Sequence, residues 1–231
     1  MFDPAAVELD IAFAQRLLIA RVPVDGFGLY GSAIDSDKWE PIGEGLPVET
    51  LVGDVCCDSR GSRIYVSSAM RCLPVLTLES PLRGVFESPI PTDRKFSWAE
   101  IEMRNSEVSL PYIASIKTDP ASGDLHICTP QGLFRRSHRG WIRELSKHYM
   151  RDIHFEIGGE QRAVAVSTDS IYLSRDSRWY PVKNVPWHKY ALVRNVAFLN
   201  GEIFVSTVDG IFVMKSGDAR FSSIPCISEL P

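Results

Sequence analysis

The amino-acid sequence predicts an all-β fold, and three observations lead to this prediction. The apolar residues alternate with polar ones or run in short blocks, whereas a helix would place them every three to four positions. Pro, Gly, Asp and Ser separate these blocks at short intervals, as expected of turns between strands. A phrase of four strands in a fixed order also occurs five times along the chain.

The phrase is most complete in residues 113–145. It consists of an apolar strand, a turn that often contains Asp or Gly, a second apolar strand, a Gly-apolar-aromatic triplet and a fourth strand led by an aromatic residue. Here the triplet is Gly132-Leu133-Phe134, and Trp141 leads the fourth strand. The link between its second and third strands is the shortest of the five, so we expect this copy to be framework.

The other four copies follow the same order. Their first strands are residues 7–13, 51–58, 150–157 and 193–199, and their fourth strands begin at Trp39, Trp98, Trp179 and Phe221. A four-stranded unit that repeats roughly every 40 to 50 residues is typical of a β-propeller, in which each sheet packs against its neighbours. The sequence therefore predicts one β-propeller domain with five blades of four antiparallel strands, over residues 5–45, 48–104, 110–146, 149–186 and 190–228.

Three segments between a third and a fourth strand resemble a known repeat. They contain Ser137, Gly140 and Trp141; Ser174, Asp176 and Trp179; and Ser216, Asp218 and Phe221. They look like shortened Asp-box hairpins of sialidase-like propellers, and the pattern from Asp119 to Phe134 is similar to the repeats of photosystem-assembly and two-component-regulator propellers. The resemblance implies the fold and no sialidase activity, because almost every copy lacks the Asp or a spacer residue of the box.

Closure of the predicted ring has alternatives. The chain begins near a first strand and finishes near a fourth, so the ring closes by side-chain packing or by an edge strand from MFDPAA or CISELP. A partial ring that another chain completes is the other geometry.

Composition limits the classes of function. With 231 residues, 45% of them hydrophobic, the chain can bury a substantial core. A net charge of -4 argues against attraction to nucleic acid or to an anionic membrane. No stretch approaches the roughly 18 apolar residues of a membrane span, and the first ten residues lack the pattern of a secretory signal. We therefore expect a cytoplasmic protein that neither inserts into membranes nor binds nucleic acid.

Few residues suggest catalysis. The five cysteines form no C-x-x-C pair and are expected to be reduced and buried, with Cys57 and Cys72 as weak nucleophile candidates. The five histidines show no H-x-x-x-H or H-E-x-x-H spacing, and G-x-S-x-G, P-loop and G-x-G-x-x-G motifs are missing. We expect no enzymatic activity, no metal and no cofactor.

One position in the first strand of every copy is polar within an apolar context. It is occupied by Asp10, Asp54, Ser115, Asp152 and Asn195. Since the first strand of a propeller blade lines the central channel, these residues are expected to form a polar ring near its entrance. They either bond the backbone of neighbouring blades and ordered water or bind a cation or other ligand. Asp54 and Asp152, facing each other across the channel, could also form the carboxylate pair of a glycosidase.

Aromatic and basic residues concentrate in the links between units. A fourth-to-first-strand link emerges on the same face as a second-to-third-strand loop, and the second repeat inserts a long segment there between Ser67 and Gly84. Insertions of this kind often lie on a binding face, and Trp, Tyr and Arg dominate interface hot spots. The predicted partner-binding residues are Arg71, His148, Tyr149, Arg151, Trp187, His188 and Tyr190. Alternatively, Trp187 and Tyr190 pack under the adjacent blade.

Two functional hypotheses follow. The first is a non-enzymatic propeller that binds another protein as an accessory, scaffold or inhibitor/immunity-type subunit, either as a monomer or within a hetero-complex. Its net negative charge would suit a basic partner. The second is a carbohydrate-binding or glycosidase-type propeller that uses the channel carboxylates.

Overall fold

We describe the protein from a computed structural model. It covers residues 10–14, 17–21, 28–47, 52–58, 60–68, 84–93, 95–103, 113–146, 149–157, 162–176, 178–182, 185, 193–215 and 220–224, with backbone alone for 10–14 and 21. Every regular element in these ranges is a β-strand. The described residues accordingly contain no helix of the length and apolar character that crossing a membrane requires. The prediction of an all-β fold is confirmed.

Twenty strands form five antiparallel sheets of four strands each, and the order in every sheet follows the chain. The first sheet contains β1 (Asp10–Ala14), β2 (Leu17–Arg21), β3 (Leu29–Ala33) and β4 (Glu40–Pro41). The second contains β5 (Val52–Cys57), β6 (Arg63–Ser68), β7 (Val85–Pro89) and β8 (Ala99–Glu100). The third contains β9 (Ser115–Thr118), β10 (Leu125–Thr129), β11 (Gly132–Ser137) and β12 (Gly140–Ser146).

The fourth sheet contains β13 (Met150–Phe155), β14 (Ala163–Ser167), β15 (Ile171–Arg175) and β16 (Arg178–Pro181). The fifth contains β17 (Val193–Leu199), β18 (Glu202–Thr207), β19 (Gly210–Met214) and β20 (Ser222–Ile224). The prediction of five units with four antiparallel strands is therefore confirmed.

The chain divides into two compact units. One comprises Met1–Ile127 and Arg136–Trp141, and the other comprises Cys128–Arg135 and Ile142–Pro231. The boundary runs through the third sheet, so the first unit contains the first two sheets and the second unit contains the last two. Whether the chain is one domain, as the sequence predicts, stays a prediction.

In the second, third and fourth sheets, the second strand is the most buried element. Every residue of β10 and of β14 is buried, and five of the six residues of β6 are buried. A strand buried on both faces loses the alternation of apolar and polar residues, which explains the continuous runs in the sequence. Two of the fourth strands, β4 and β8, consist of two exposed residues each, whereas β12 has seven residues that are exposed or half-buried.

Each unit has its own apolar cluster. In the first unit it consists of Ile19, Leu29, Ile42, Leu46, Val52, Val55, Ile64, Val66 and Phe86. In the second it consists of Val164, Val166, Ile171, Val193, Val196, Phe198, Ile203, Val205, Phe212, Met214 and Phe221. These clusters combine side chains from consecutive sheets, because neither face of one sheet could exclude water alone.

In two of the repeats, the tryptophan of the fourth strand connects consecutive sheets. In the first unit, the indole Nε1 of Trp98 donates a hydrogen bond to the carbonyl of Ile42, 3.1 Å away. In the second, the indole Nε1 of Trp179 donates to Glu144 Oε2 at 3.2 Å. Trp98 and Trp179 thus contribute both apolar area and a directed bond.

One glycine of the repeated triplet is required by its surroundings. Gly132 has a φ of 140° at the start of β11, and a Cβ atom there would collide with the carbonyl oxygen of Leu145 on β12. Any other residue would have to push these two strands apart.

Candidate functional site

Each sheet has two kinds of strand ends. Four antiparallel strands follow one another in each sheet, so three features share the same edge. The first strand begins there, the second and third strands are connected there, and the fourth strand ends there. We call this edge the link edge; the opposite edge, with the first-to-second and third-to-fourth turns, is the hairpin edge. Tyr149 and Arg151, two of the positions predicted to bind a partner, lie where β13 begins, at the link edge.

A hydroxyl at the end of the second strand fixes the turns of the link edge. Thr207 Oγ1 donates to the carbonyl of Gly210 at 3.2 Å and accepts from the N–H of Asp209 at 3.0 Å. Thr129 makes the same two bonds with Gly132 and Gln131, each at 3.1 Å. Such bonds satisfy the turn backbone locally, so the link edge is built from defined turns.

The second repeat also has a hydroxyl at the end of its second strand, where the insertion begins. The N–H of Ser68 donates to the carbonyl of Gly84 at 3.0 Å, and the N–H of Gly84 donates to Ser68 Oγ at 2.8 Å. Residues 69–83 lie outside the described residues. The insertion is therefore attached to a closed hairpin, and β6 and β7 stay paired up to the contact between Ser67 and Val85.

Two of the seven predicted partner-binding residues lie in the described part of the chain. Tyr149 immediately precedes β13, and it is 62% exposed. The N–H of Thr168, in the neighbouring turn, donates a hydrogen bond to the carbonyl of Tyr149. Arg151 is half-buried on β13. The remaining five are outside the described residues: Arg71, His148, Trp187, His188 and Tyr190.

The polar positions of the first strands differ in exposure. Asp54, Ser115 and Asp152 are buried, whereas Asn195 is exposed. Only the backbone of Asp10 is described. The expected ring around a channel stays a prediction.

The buried carboxylates hold adjacent first strands together. Asp54 Oδ1 accepts from the N–H of Val55 at 2.8 Å, and Oδ2 accepts from the N–H of Ile116 on β9 at 2.8 Å and pairs with Lys117 Nζ at 3.1 Å. In the second unit, Asp152 Oδ1 accepts from Ile153 at 2.9 Å, and Oδ2 accepts from Val196 on β17 at 3.0 Å. Each carboxylate thereby satisfies an outward N–H of the next sheet's edge strand.

These hydrogen bonds concern the two roles considered for the carboxylates, catalysis and metal binding. All four carboxylate oxygens accept backbone hydrogen bonds, and Asp54 and Asp152 belong to different units. Across the described ranges, no group of three or more His, Cys, Asp or Glu side chains could hold a metal ion.

The thiols are poorly suited to nucleophilic attack. Burial, followed by the charge of Asp58, raises the pKa of Cys57 from 9.0 to about 12. Burial also raises the pKa of Cys56 well above its ordinary value, although the nearby Lys117 opposes this. Both thiols stay protonated at neutral pH, and the thiolate is the reactive form. The nucleophile role considered for Cys57 is therefore disfavoured, while Cys72 lies outside the described residues.

A cleft that the sequence reasoning missed lies in the first unit. Its volume is about 360 Å³, and its lining includes Tyr65, Asp124, Arg136 and His138. Arg136 Nη1 donates to Glu87 Oε2 at 3.2 Å, and Arg63 pairs with the same oxygen at 3.1 Å. Burial, then the charge of Glu87, raises the pKa of Tyr65. These residues come from separate repeats, so no local motif could have indicated the cleft.

The five four-stranded sheets in chain order define the class of this protein, which has a β-propeller fold. No protein-family model and no curated protein matches its sequence. Solved propeller structures resemble it at identities too low to show more than the fold.

Three of these structures illustrate the similarity. YCF48 bound to D1 peptide has 16% identity and a TM-score of 0.61, covering 94% of this chain and 66% of that one. The GH74 xyloglucanase of Xanthomonas campestris has 16% identity and a TM-score of 0.63, covering 96% and 37%. PorZ, a surface component of the type-IX secretion system of Porphyromonas gingivalis, has 9% identity and a TM-score of 0.63, covering 92% and 27%. The chain thus spans less than two thirds of each of these proteins.

Proposed function

We propose that this protein is a non-enzymatic β-propeller that binds another protein through its link edge, as an accessory, scaffold or inhibitor/immunity-type subunit. The observation that supports this most is the attachment of the second-repeat insertion at the link edge, on a hairpin that Ser68 and Gly84 keep closed. Segments that connect the strands of a sheet often carry the binding residues of a protein.

The exposed aromatic residue of the same edge adds to the argument. Tyr149 is 62% exposed, and its backbone carbonyl is fixed by the turn that follows β14. A tyrosine presented from a rigid backbone provides a large contact area at a small cost in conformational entropy. YCF48, which has the same fold, was solved with a bound peptide, so a protein segment is a ligand that this architecture accommodates.

Chemistry weighs against the enzymatic alternative. The carboxylates of Asp54 and Asp152 already accept backbone hydrogen bonds, and the raised pKa values of Cys56 and Cys57 keep these two thiols protonated. A glycosidase needs one carboxylate that is available to the sugar and a second that delivers a proton. The xyloglucanase similarity concerns the fold, and we propose no carbohydrate chemistry from it.

We also propose a cytoplasmic location. Cys56 and Cys57 are free thiols, which suits a reducing compartment, since oxidising compartments favour disulfides in secreted proteins. Cell fractionation tests this proposal, and recovery of the protein in a secreted or periplasmic fraction would contradict it.

Affinity purification from the native lysate tests the binding function. Wild type should recover a partner protein, and Tyr149→Ala, Trp187→Ala and a deletion within residues 70–82 should each recover less of it. Ile157→Ala is the matched control, because Ile157 is 84% exposed after β13 on the hairpin edge of the same sheet as Tyr149. If wild type recovers no protein and binds sugars on a glycan array, the proposed function is wrong.

A further inference from the structure

A β-bulge recurs where the first strand begins. The register shifts between Val52 and Asp54 in the second sheet, between Met150 and Asp152 in the fourth, and between Val193 and Asn195 in the fifth. The residues within these bulges are Gly53, Arg151 and Arg194. A bulge changes the direction of a side chain, and bulges are frequent beside functional sites. Both bulges of the second unit therefore contain an arginine, whereas the first unit has a glycine.

The two arginines belong to neighbouring strands of one unit. The N–H of Val196 on β17 donates to Asp152 Oδ2 on β13 at 3.0 Å. Arg151 precedes Asp152, and Arg194 lies two residues before Val196. Only one residue step and two residue steps separate the arginines from this hydrogen bond, so their Cα atoms are within about 15 Å of each other.

Neither guanidinium is neutralised by the described residues. Arg151 is half-buried, and its Nε is buried with no hydrogen-bond partner in the described part of the chain. Arg194 is exposed, and no carboxylate among the described residues forms an ion pair with either arginine. Asp152, adjacent to Arg151, has both oxygens bonded to backbone N–H groups. A partly buried guanidinium without a carboxylate is costly, and a buried donor without a partner requires an explanation.

The link edge also carries acidic and amide side chains. Asp169 and Asp209 lie in the exposed second-to-third-strand turns, and Asp169 Oδ1 accepts a hydrogen bond from Ser167 Oγ at 2.9 Å. Asn195, beside Arg194, is exposed and adds an amide that can donate. The first strands thus present cations and a donor, while the acidic groups are on the turns after the second strands.

We propose that Arg151 and Arg194 form a subsite of the link edge that binds two carboxylates in an acidic segment of the partner protein. This inference rests on the proposed function and specifies the chemistry of its partner. Guanidinium groups bind carboxylates through paired, charge-assisted hydrogen bonds. An extended segment advances about 3.3 Å per residue, so carboxylates two or four residues apart reach both arginines. The two arginines, and not the net charge of -4, are the guide to the segment that this subsite binds.

Binding of a fluorescein-labelled hexaglutamate peptide to the purified full chain tests the subsite. Fluorescence anisotropy should show binding of hexaglutamate and much weaker binding of hexaglutamine and hexalysine. Arg151→Gln should weaken hexaglutamate binding about tenfold and Arg194→Gln about threefold, because the first arginine is less hydrated. Raising NaCl should weaken binding of the wild type. Arg178→Gln, an exposed arginine on β16, is the matched control and should change affinity less than twofold.

The outcomes separate this inference from the proposed function. Circular dichroism first verifies that each variant is folded. If wild type and the Arg151→Gln/Arg194→Gln double variant bind hexaglutamate equally, or if wild type binds heparin and not hexaglutamate, the subsite is refuted. If Tyr149→Ala loses the lysate partner while the double variant retains it fully, the subsite is refuted and the binding function stands. Reduced recovery by the double variant, with Arg178→Gln unaffected, supports both.

Discussion

The carboxylate of Asp152 accepts a hydrogen bond from the backbone N–H of Val196 at 3.0 Å, and this bond joins the first strands of two consecutive sheets. Two residues further along the same two strands, His154 Nδ1 accepts a hydrogen bond from the backbone N–H of Phe198 at 3.1 Å. A first strand is the edge of its sheet, so its outward N–H groups need partners that its own sheet does not supply. Asp and His side chains of the preceding sheet provide them.

Replacement of Asp152 tests this connection. Asp152→Asn exchanges one of two accepting oxygens for a donor, which leaves the N–H of Val196 or of Ile153 without an acceptor. We expect the free energy of unfolding to fall by about 1 to 3 kcal/mol, measured by urea denaturation. Asp209→Asn removes an exposed charge with the same substitution and should change stability by less than about 0.5 kcal/mol. Equal stabilities of the two variants would argue against the connection.

Replacement of Ser68 tests how the insertion is attached. Ser68→Ala removes the acceptor of the Gly84 N–H, which is 2.8 Å from Ser68 Oγ at a buried position. The unfolding free energy should fall by about 1 to 2 kcal/mol because that N–H loses its buried bond. Ser223→Ala, on the exposed strand β20, is the control and should be close to neutral. A neutral Ser68→Ala would show that the hydroxyl does not hold the hairpin closed.

Thiol reactivity follows from burial. Since the pKa of Cys57 is about 12, iodoacetamide at pH 8 should alkylate Cys57 very slowly in the native protein and rapidly in urea. Mass spectrometry of the peptides containing Cys57 and Cys56 measures both rates. Rapid native alkylation would contradict the assignment of a protonated thiol.

The raised pKa of Cys57 makes the protein less stable at high pH. The unfolded chain loses the Cys57 proton near pH 9, before the folded chain does so near pH 12. Stability from this group is therefore complete below about pH 9 and declines as the pH rises through that interval. Cys57→Ala should reduce this decline between pH 9 and 10.5, as followed by urea denaturation at each pH.

The indole of Trp179 supplies a specific bond between sheets. Trp179→Phe retains most of the apolar area but loses the bond from Nε1 to Glu144 Oε2, which is 3.2 Å long. We expect a loss of about 0.5 to 1.5 kcal/mol in unfolding free energy, since the bond is partly exposed. Trp39→Phe serves as the comparison, because Trp39 is 44% exposed, and it should cost less. A larger cost at Trp39 would contradict this role of Trp179.

The sequence predicted the fold well because the repeating features have local causes. The buried second strands appear as apolar runs, and the turn hydroxyls, such as Thr207, and the glycines, such as Gly132, recur at fixed places. Long-range pairing could not be predicted. The acceptor role of Asp54 depends on Ile116, in another repeat, and the bulge at Arg194 leaves no mark in the residue pattern. The cleft likewise combines residues of two repeats, such as Tyr65 and Arg136.

Hydrogen exchange of the complex with the recovered partner tests the central claim most directly. If the link edge binds the partner, backbone amides of residues 149–152 and 193–195 should exchange more slowly in the complex, while those of the hairpin-edge turns 119–124 and 137–140 should be unchanged. Protection confined to the hairpin-edge turns, beside the cleft of Tyr65 and Arg136, would contradict a binding function of the link edge.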